Sequence, residues 1–231
     1  MNVTTAEAAK SLVAQAMDAV KTHIRVAGLR VGDTLPGEGY FAEQLGVSRA
    51  VMREAFGALA ALKLIDVANG RRAKVGALDG SVIAASLDHA LSTSQIKVAD
   101  VWDVRRTIEM RTAALAARNA TPVQAARIVA LAESMGGEHP HQETTDDDIE
   151  FHLAIAEASG NELFNQIVVS FVPLLRVAVP RAWQTRQTDE QKRDILERHR
   201  QLAWAIANRD PVEAERCMAA HFDEAIGALL R

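Results

Sequence analysis

The sequence predicts a mainly α-helical protein in two parts, a small N-terminal module carrying a short β-hairpin and a C-terminal all-α helical bundle. Three observations predict it. Apolar residues recur at helical spacing along most of the 231 residues. The β-type signal is concentrated in residues 64–75, where two short apolar segments flank Asn69-Gly70. The charge is segregated: residues 1–76 carry ten Lys/Arg against seven Asp/Glu, and residues 77–231 carry sixteen against twenty-three. A basic module on an acidic remainder suits a nucleic-acid reader joined to something else.

Composition narrows the class. With 48% hydrophobic and 24% charged residues the chain should fold as an ordinary soluble protein. No apolar run approaches the ~20 residues that span a bilayer, and Met1 to Lys10 lacks the basic-then-apolar build of a signal peptide. A cytoplasmic location is expected. The single Cys217 excludes an intramolecular disulfide and a Cys-rich zinc module, and reads as a small buried apolar residue.

In the first module an amphipathic helix is expected from about Ala6 to Val26, and a second from about Glu38 to Leu45, stopped by Gly46. Ser48 is a preferred N-cap for a third, and Val47 and Met52 are spaced as a hydrophobic staple. Met52, Phe56 and Leu59 can then pack inward. Arg49 and Arg53 fall on another face, at the positive end of the helix dipole, where helix stability gives no reason for cations. A polyanion does, since an arginine fork can read guanine or clamp a phosphate. Arg71 and Arg72 stand at the tip of the hairpin, whose Asn69-Gly70 turn should use positive φ angles. The arrangement is a winged helix-turn-helix in which residues from Arg49 enter a major groove and the wing follows the backbone.

These residues resemble a known family. Gly32-Asp33-Thr34-Leu35-Pro36-Gly37-Glu38, Phe41-Ala42, Leu45-Gly46-Val47-Ser48-Arg49 and Arg53-Glu54-Ala55 are similar to the N-terminal signature of GntR-type bacterial transcription regulators. The resemblance implies Arg49 and Arg53 at bases and phosphates, Ser48 at a phosphate, and Gly70 with Arg71 and Arg72 at the wing tip. Gly37 replaces the family's usual small hydroxyl residue. Gly39 stands where many members carry a basic or polar side chain, so a contact made there elsewhere is lost.

Domain bounds follow: residues 1–76 for the winged module, 77–81 for a linker, and 82–231 for the bundle. Its expected helices are 81–93, 99–119, 122–135, 144–159, 161–178, 188–208 and 211–230, with Thr121-Pro122 and Asp210-Pro211 as starts and Gly136-Gly137 and Gly160-Asn161 as stops. Asp148 and His152 share a helix face, and His199 and His221 each fall in an apolar row. Three inward imidazoles with a carboxylate would each need a separate buried partner, or one divalent cation for all four. Zinc suits this donor set, and nickel, manganese or iron also fit it. His139 and His141 read as solvated loop residues.

The bundle in turn resembles the FCD domain of FadR-like GntR members, through Val104-Arg105-Arg106, Glu109, Ala114 to Ala117, Ala120-Thr121, Asp148 to His152, Ser159-Gly160-Asn161, His199 and His221. That resemblance implies Asp148, His152, His199 and His221 as metal ligands, with Arg105 and Asn161 toward a carboxylate effector. By spacing alone Arg105 and Glu109 could equally form a surface ion pair, and Arg106 competes for the effector role. The function expected is a homodimeric, effector-controlled transcription repressor on operator DNA, released by a small organic or sugar acid held near the metal. Two rivals are a regulator that senses the ion itself, and an enzyme using the Asp/His₃ site with Glu109 or Glu150 as base.

Overall fold

The computed structural model describes residues 11–135, 143–184 and 188–229. The chain divides between Asp79 and Gly80 into two compact units.

The first unit is three helices and a small hairpin. Helix α1 (Leu12–Val26) starts at Ser11, whose Oγ accepts the Ala14 amide at 3.1 Å; the expected turn from Ala6 to Lys10 lies outside the described residues. Helix α2 (Glu38–Leu45) has Gly37 at its N-cap, without a side-chain bond, and ends on Gly46 at φ +64°. Helix α3 (Arg49–Ala61) is capped by Ser48, whose Oγ accepts the Val51 amide at 3.2 Å. Ala16, Val20, Phe41, Met52, Phe56 and Leu59 form one core, with Val47 packed against it. Strands β1 (Ile65–Asp66) and β2 (Lys74–Val75) pair antiparallel, Ile65 opposite Val75. On the other edge of β2 the Leu35 amide bonds the Ala73 carbonyl at 2.8 Å.

The wing corrects the expectation for its turn. Among the described residues Gly70 takes positive φ (70°) and Asn69 does not, and the Arg71 amide returns to the Ala68 carbonyl at 3.1 Å. A tight two-residue turn of the favoured hairpin type needs both central residues at positive φ. Here a single glycine bends a longer loop, because the strands themselves are only two residues each.

The second unit is helical throughout the described residues: α4 (Ser81–Ser92), α5 (Val98–Asn119), α6 (Pro122–Ser134), α7 (Glu143–Ala158), α8 (Glu162–Ser170), α9 (Val172–Gln184), α10 (Asp189–Ala207) and α11 (Pro211–Leu229). Thr121 and Gln124 form a capping box at α6, and the Asp210 carboxylate accepts the Val212 and Glu213 amides at α11. The helix expected over 161–178 is two, bent by 50°. Pro173 has no amide to offer the Val169 carbonyl, and its ring would clash there, so the chain breaks at Phe171. No single helix among the described residues is long and apolar enough to cross a membrane. The long α5 runs through the middle of the core, where Ala113, Ala116 and Ala117 are buried with Ile128, Phe151, Ile155, Leu202, Ile206 and Phe222. Cys217 is buried in that core. Gly136-Gly137, His139 and His141 lie outside the described residues.

Candidate metal centre and nucleic-acid interface

Four helix-borne side chains converge in the second unit. Asp148 and His152 come from α7, His199 from α10 and His221 from α11, and one donor atom from each lies within 4.8 Å of the others. All three histidines are buried and Asp148 is 16% exposed.

Hydrogen bonds orient two of the imidazoles. His199 Nδ1–H donates to the Ile195 carbonyl at 2.8 Å, one turn back in α10. His152 Nδ1–H donates to the Glu109 carboxylate. Each bond leaves a neutral ring with its Nε2 lone pair facing the cluster. His152 Nε2 stands 3.2 Å from His221 Nε2, and His199 Nε2 stands 3.1 Å from Asp148 Oδ1. A neutral His199 therefore sets a lone pair against a carboxylate oxygen, two acceptors with nothing to share. Either a proton or a cation must lie between them. A cation with ligand bonds of ~2.0–2.1 Å holds neighbouring donors roughly 3.0–3.4 Å apart, so these separations fit a single divalent ion.

The electrostatics agree. Burial alone would raise the Asp148 pKa, but in the metal-free cluster a proton between His199 Nε2 and the carboxylate, with the imidazoles around it, holds it well below the usual carboxylate range. Burial pushes His221 far below an ordinary histidine, and any proton that His199 or His152 takes up in the metal-free cluster adds to that push, toward the neutral form a ligand needs. Among the described residues His221 Nδ1 has no hydrogen-bond partner.

Behind these donors lies a layer that sequence reasoning only partly saw. Arg105 and Glu109 are not a surface pair: they are 2% and 1% exposed, joined by Arg105 Nε to Glu109 Oε1 at 2.6 Å. Burial opposes ionisation of Glu109, yet Arg105 and His152 together hold its pKa below the normal value. Arg106 points elsewhere, with Nε 2.9 Å from Asp223 at the surface. Glu150 is also at the surface, 3.1 Å from Arg127, and Glu109 has both oxygens engaged, so neither stands free as a catalytic base. Asn161 is exposed and caps α8, its Oδ1 accepting the Leu163 and Phe164 amides; the structure does not place it among the four donors. The signal that would have revealed the supporting layer is the row Trp102, Arg105, Glu109, spaced i, i+3, i+7 on one face of α5.

In the first unit, Arg49 and Arg53 of α3 and Gly70, Arg71 and Arg72 of the wing line one concave face of roughly 480 Å³, floored in part by Phe56. Ser48 sits at the start of α3; its oxygen is spent on the cap, and its hydroxyl proton remains able to donate. The acidic neighbour on this face is Glu38, 3.8 Å from the Nε of an Arg53 side chain that is 78% exposed. Such an exposed pair is worth about 0–1 kcal/mol, little resistance to a phosphate. Gly39 also lines the face and presents no side chain there.

Comparison with known proteins fits both units. The profile of bacterial regulatory proteins of the gntR family matches residues 12–75, and that of the FCD domain matches residues 100–224. The chain belongs to the GntR family. This GntR-family transcription regulator is 30% identical over 203 residues to the HTH-type transcriptional regulator LutR of Bacillus subtilis (strain 168), covering 86% of this chain and 92% of LutR. It is also 30% identical over 200 residues to the Glc operon transcriptional activator of Escherichia coli (strain K12), covering 84% and 79% of the two chains. The solved structure of Streptococcus agalactiae GntR matches with a TM-score of 0.63 at 26% identity, covering 91% of this chain and 97% of that one. These relatives are transcription regulators rather than enzymes, which removes the enzymatic rival. GntR regulators bind operator DNA, and FCD domains are effector-binding modules that often hold metal.

Proposed function

We propose that this regulator is a cytoplasmic homodimeric repressor whose operator affinity is set by a small organic or sugar acid bound beside a divalent ion in the FCD bundle. Zinc is the first choice for the ion, with nickel, manganese or iron as alternatives. Asp148, His152, His199 and His221 would hold it, and Arg105 would receive the carboxylate. The observation that carries the reading is the donor cluster with the buried Arg105–Glu109 pair behind it. Neutral imidazoles leave the Asp148 and Glu109 charges against Arg105, and a divalent ion turns that group net positive by one. A single carboxylate would neutralise it. Burying an uncompensated charge is costly, so an anionic effector matches the loaded site better than a neutral one.

On the DNA side, Arg49 and Arg53 would read or clamp the major groove, Ser48 would donate to a phosphate, and Gly70, Arg71 and Arg72 would form the wing contact. A dimer places two α3 helices about 34 Å apart on a near-palindromic site. Control is then linkage: an acid bound more tightly by the DNA-free arrangement lowers operator affinity by that difference. Residues 1–76 would carry DNA binding, 77–81 the connection, and 82–231 the metal, effector and dimer contacts. Asn161, spent on a helix cap, would act on the effector only indirectly.

The test is binding of the purified protein to its own upstream DNA and to scrambled DNA over a salt series, with and without zinc, nickel and a panel of organic acids, paired with a reporter behind that promoter. Selective binding with a steep salt slope, weakened by an acid and accompanied by reporter release, is expected. His199→Ala should lose both metal and acid response. Metal alone altering DNA affinity would establish the ion as the signal instead, and reporter loss on deleting the regulator would make it an activator.

A further inference from the structure

We propose that Trp102 is a second donor to the bound carboxylate, its indole N–H acting beside Arg105 to select the effector. The proposal rests on the reading that the FCD bundle of this chain binds a small acid near Arg105. Trp102 is 5% exposed, and among the described residues its Nε1 has no hydrogen-bond partner. Buried indoles usually find a partner, and an unsatisfied buried donor is costly. Packing accounts for the bulk of the ring but not for its buried N–H.

Its position supplies the explanation. Trp102 lies one turn before Arg105 on the same face of α5, and the Arg105 guanidinium stands 4.7 Å from the indole and 5.0 Å from the Phe222 ring. Trp102 and Phe222 meet edge-on, with centroids 6.0 Å apart. The aromatic pair holds the cation by its faces, while Glu109 takes Nε. The nearby Glu109 carboxylate accepts from Arg105 and His152 and makes no bond to the indole. An indole N–H can only donate. Its partner must therefore bring an acceptor, and a carboxylate drawn to Arg105 carries two oxygens to divide between guanidinium and indole. Cationic and purely apolar ligands offer nothing to this donor.

The experiment is a proton–nitrogen NMR spectrum of the zinc-loaded full chain labelled at the indole nitrogens, with the Trp102 signal assigned by its loss in Trp102→Phe. Acetate, glycolate, malate and citrate are titrated at millimolar levels, and affinities are measured by calorimetry on both proteins. At least one acid should move the Trp102 indole signal downfield. Trp102→Phe should bind that acid about 10–100-fold more weakly, as expected for a hydrogen bond to a charged group, with zinc content unchanged and a cooperative melting transition retained. If an acid shifts signals of the histidine cluster while the indole signal stays still, or if Trp102→Phe binds it equally well, the proposal is overturned and the effector reading survives. If none of the four acids perturbs the bundle, both fall together.

Discussion

Glu109→Gln tests the support of the metal centre without touching a ligand. The native carboxylate accepts twice, from Arg105 Nε at 2.6 Å through Oε1 and from His152 Nδ1 through Oε2. A glutamine of the same size has one acceptor and one NH₂ group, so while His152 keeps the tautomer that presents its Nε2 lone pair, a donor meets a donor in either orientation. The charge on Arg105, 2% exposed, loses its counterion as well. Removing one partner of a buried pair costs about 3–5 kcal/mol, which for a unit of this size lowers its melting transition by about 6–20 °C. His152 also loses the bond that orients its Nε2, an effect worth about 10–100-fold in metal affinity. Zinc competition against a chromophoric chelator reads the second effect, and calorimetry of zinc-free protein reads the first. Zinc affinity within twofold of wild type would refute the role assigned to Glu109 as the orienting acceptor. A stability loss without an affinity loss would confine Glu109 to neutralising Arg105.

Three further outcomes are expected. Arg49→Ala should weaken specific operator binding by about 1–3 kcal/mol while leaving thermal stability unchanged, since the side chain is exposed; an equal loss on scrambled DNA would make it a phosphate contact. Because the folded protein keeps His221 neutral far below its ordinary pKa, the unfolded chain binds more protons as pH falls. Stability of the metal-free protein is thus full above about pH 6.5 and declines below it by up to about 1.4 kcal/mol per pH unit, and a denaturation midpoint flat from about pH 7 to 5 would contradict this. Gly80→Ala places a Cβ 2.3 Å from the Gln166 carbonyl oxygen and 3.2 Å from the Ser170 amide. Both are backbone atoms of the facing chain, so the variant should melt about 2–12 °C lower; an unchanged transition would show that this approach relaxes freely.

The sequence by itself determined what depends on neighbours in the chain. Gly46, Ser48, Val47 and Met52 specify the turn into α3 through a positive φ, a cap and a staple spanning a few residues, and the structure shows Gly46 and Ser48 in those local roles. Helical spacing likewise places His152 one turn from Asp148, and the charge split separates a basic module from an acidic one. Signals of this kind survive without a fold because they act within one or two helical turns. The break at Phe171 was readable from Pro173 in the same way, although the apolar periodicity running through it suggested one helix.

Only the tertiary structure decided which of two adjacent arginines is buried. Arg105 and Arg106 have equivalent local chemistry, and the packing of α5 against α7 and α11 turns one toward Glu109 and Trp102 and the other toward Asp223. It also decided that Glu109 serves His152, 43 residues away in sequence, and that Asn161 spends its side chain on a cap. A lone-pair direction, a counterion or an unpartnered indole is a property of groups brought together from several helices. No window along the chain contains it, because burial sets both the cost of each polar atom and the partner that relieves it.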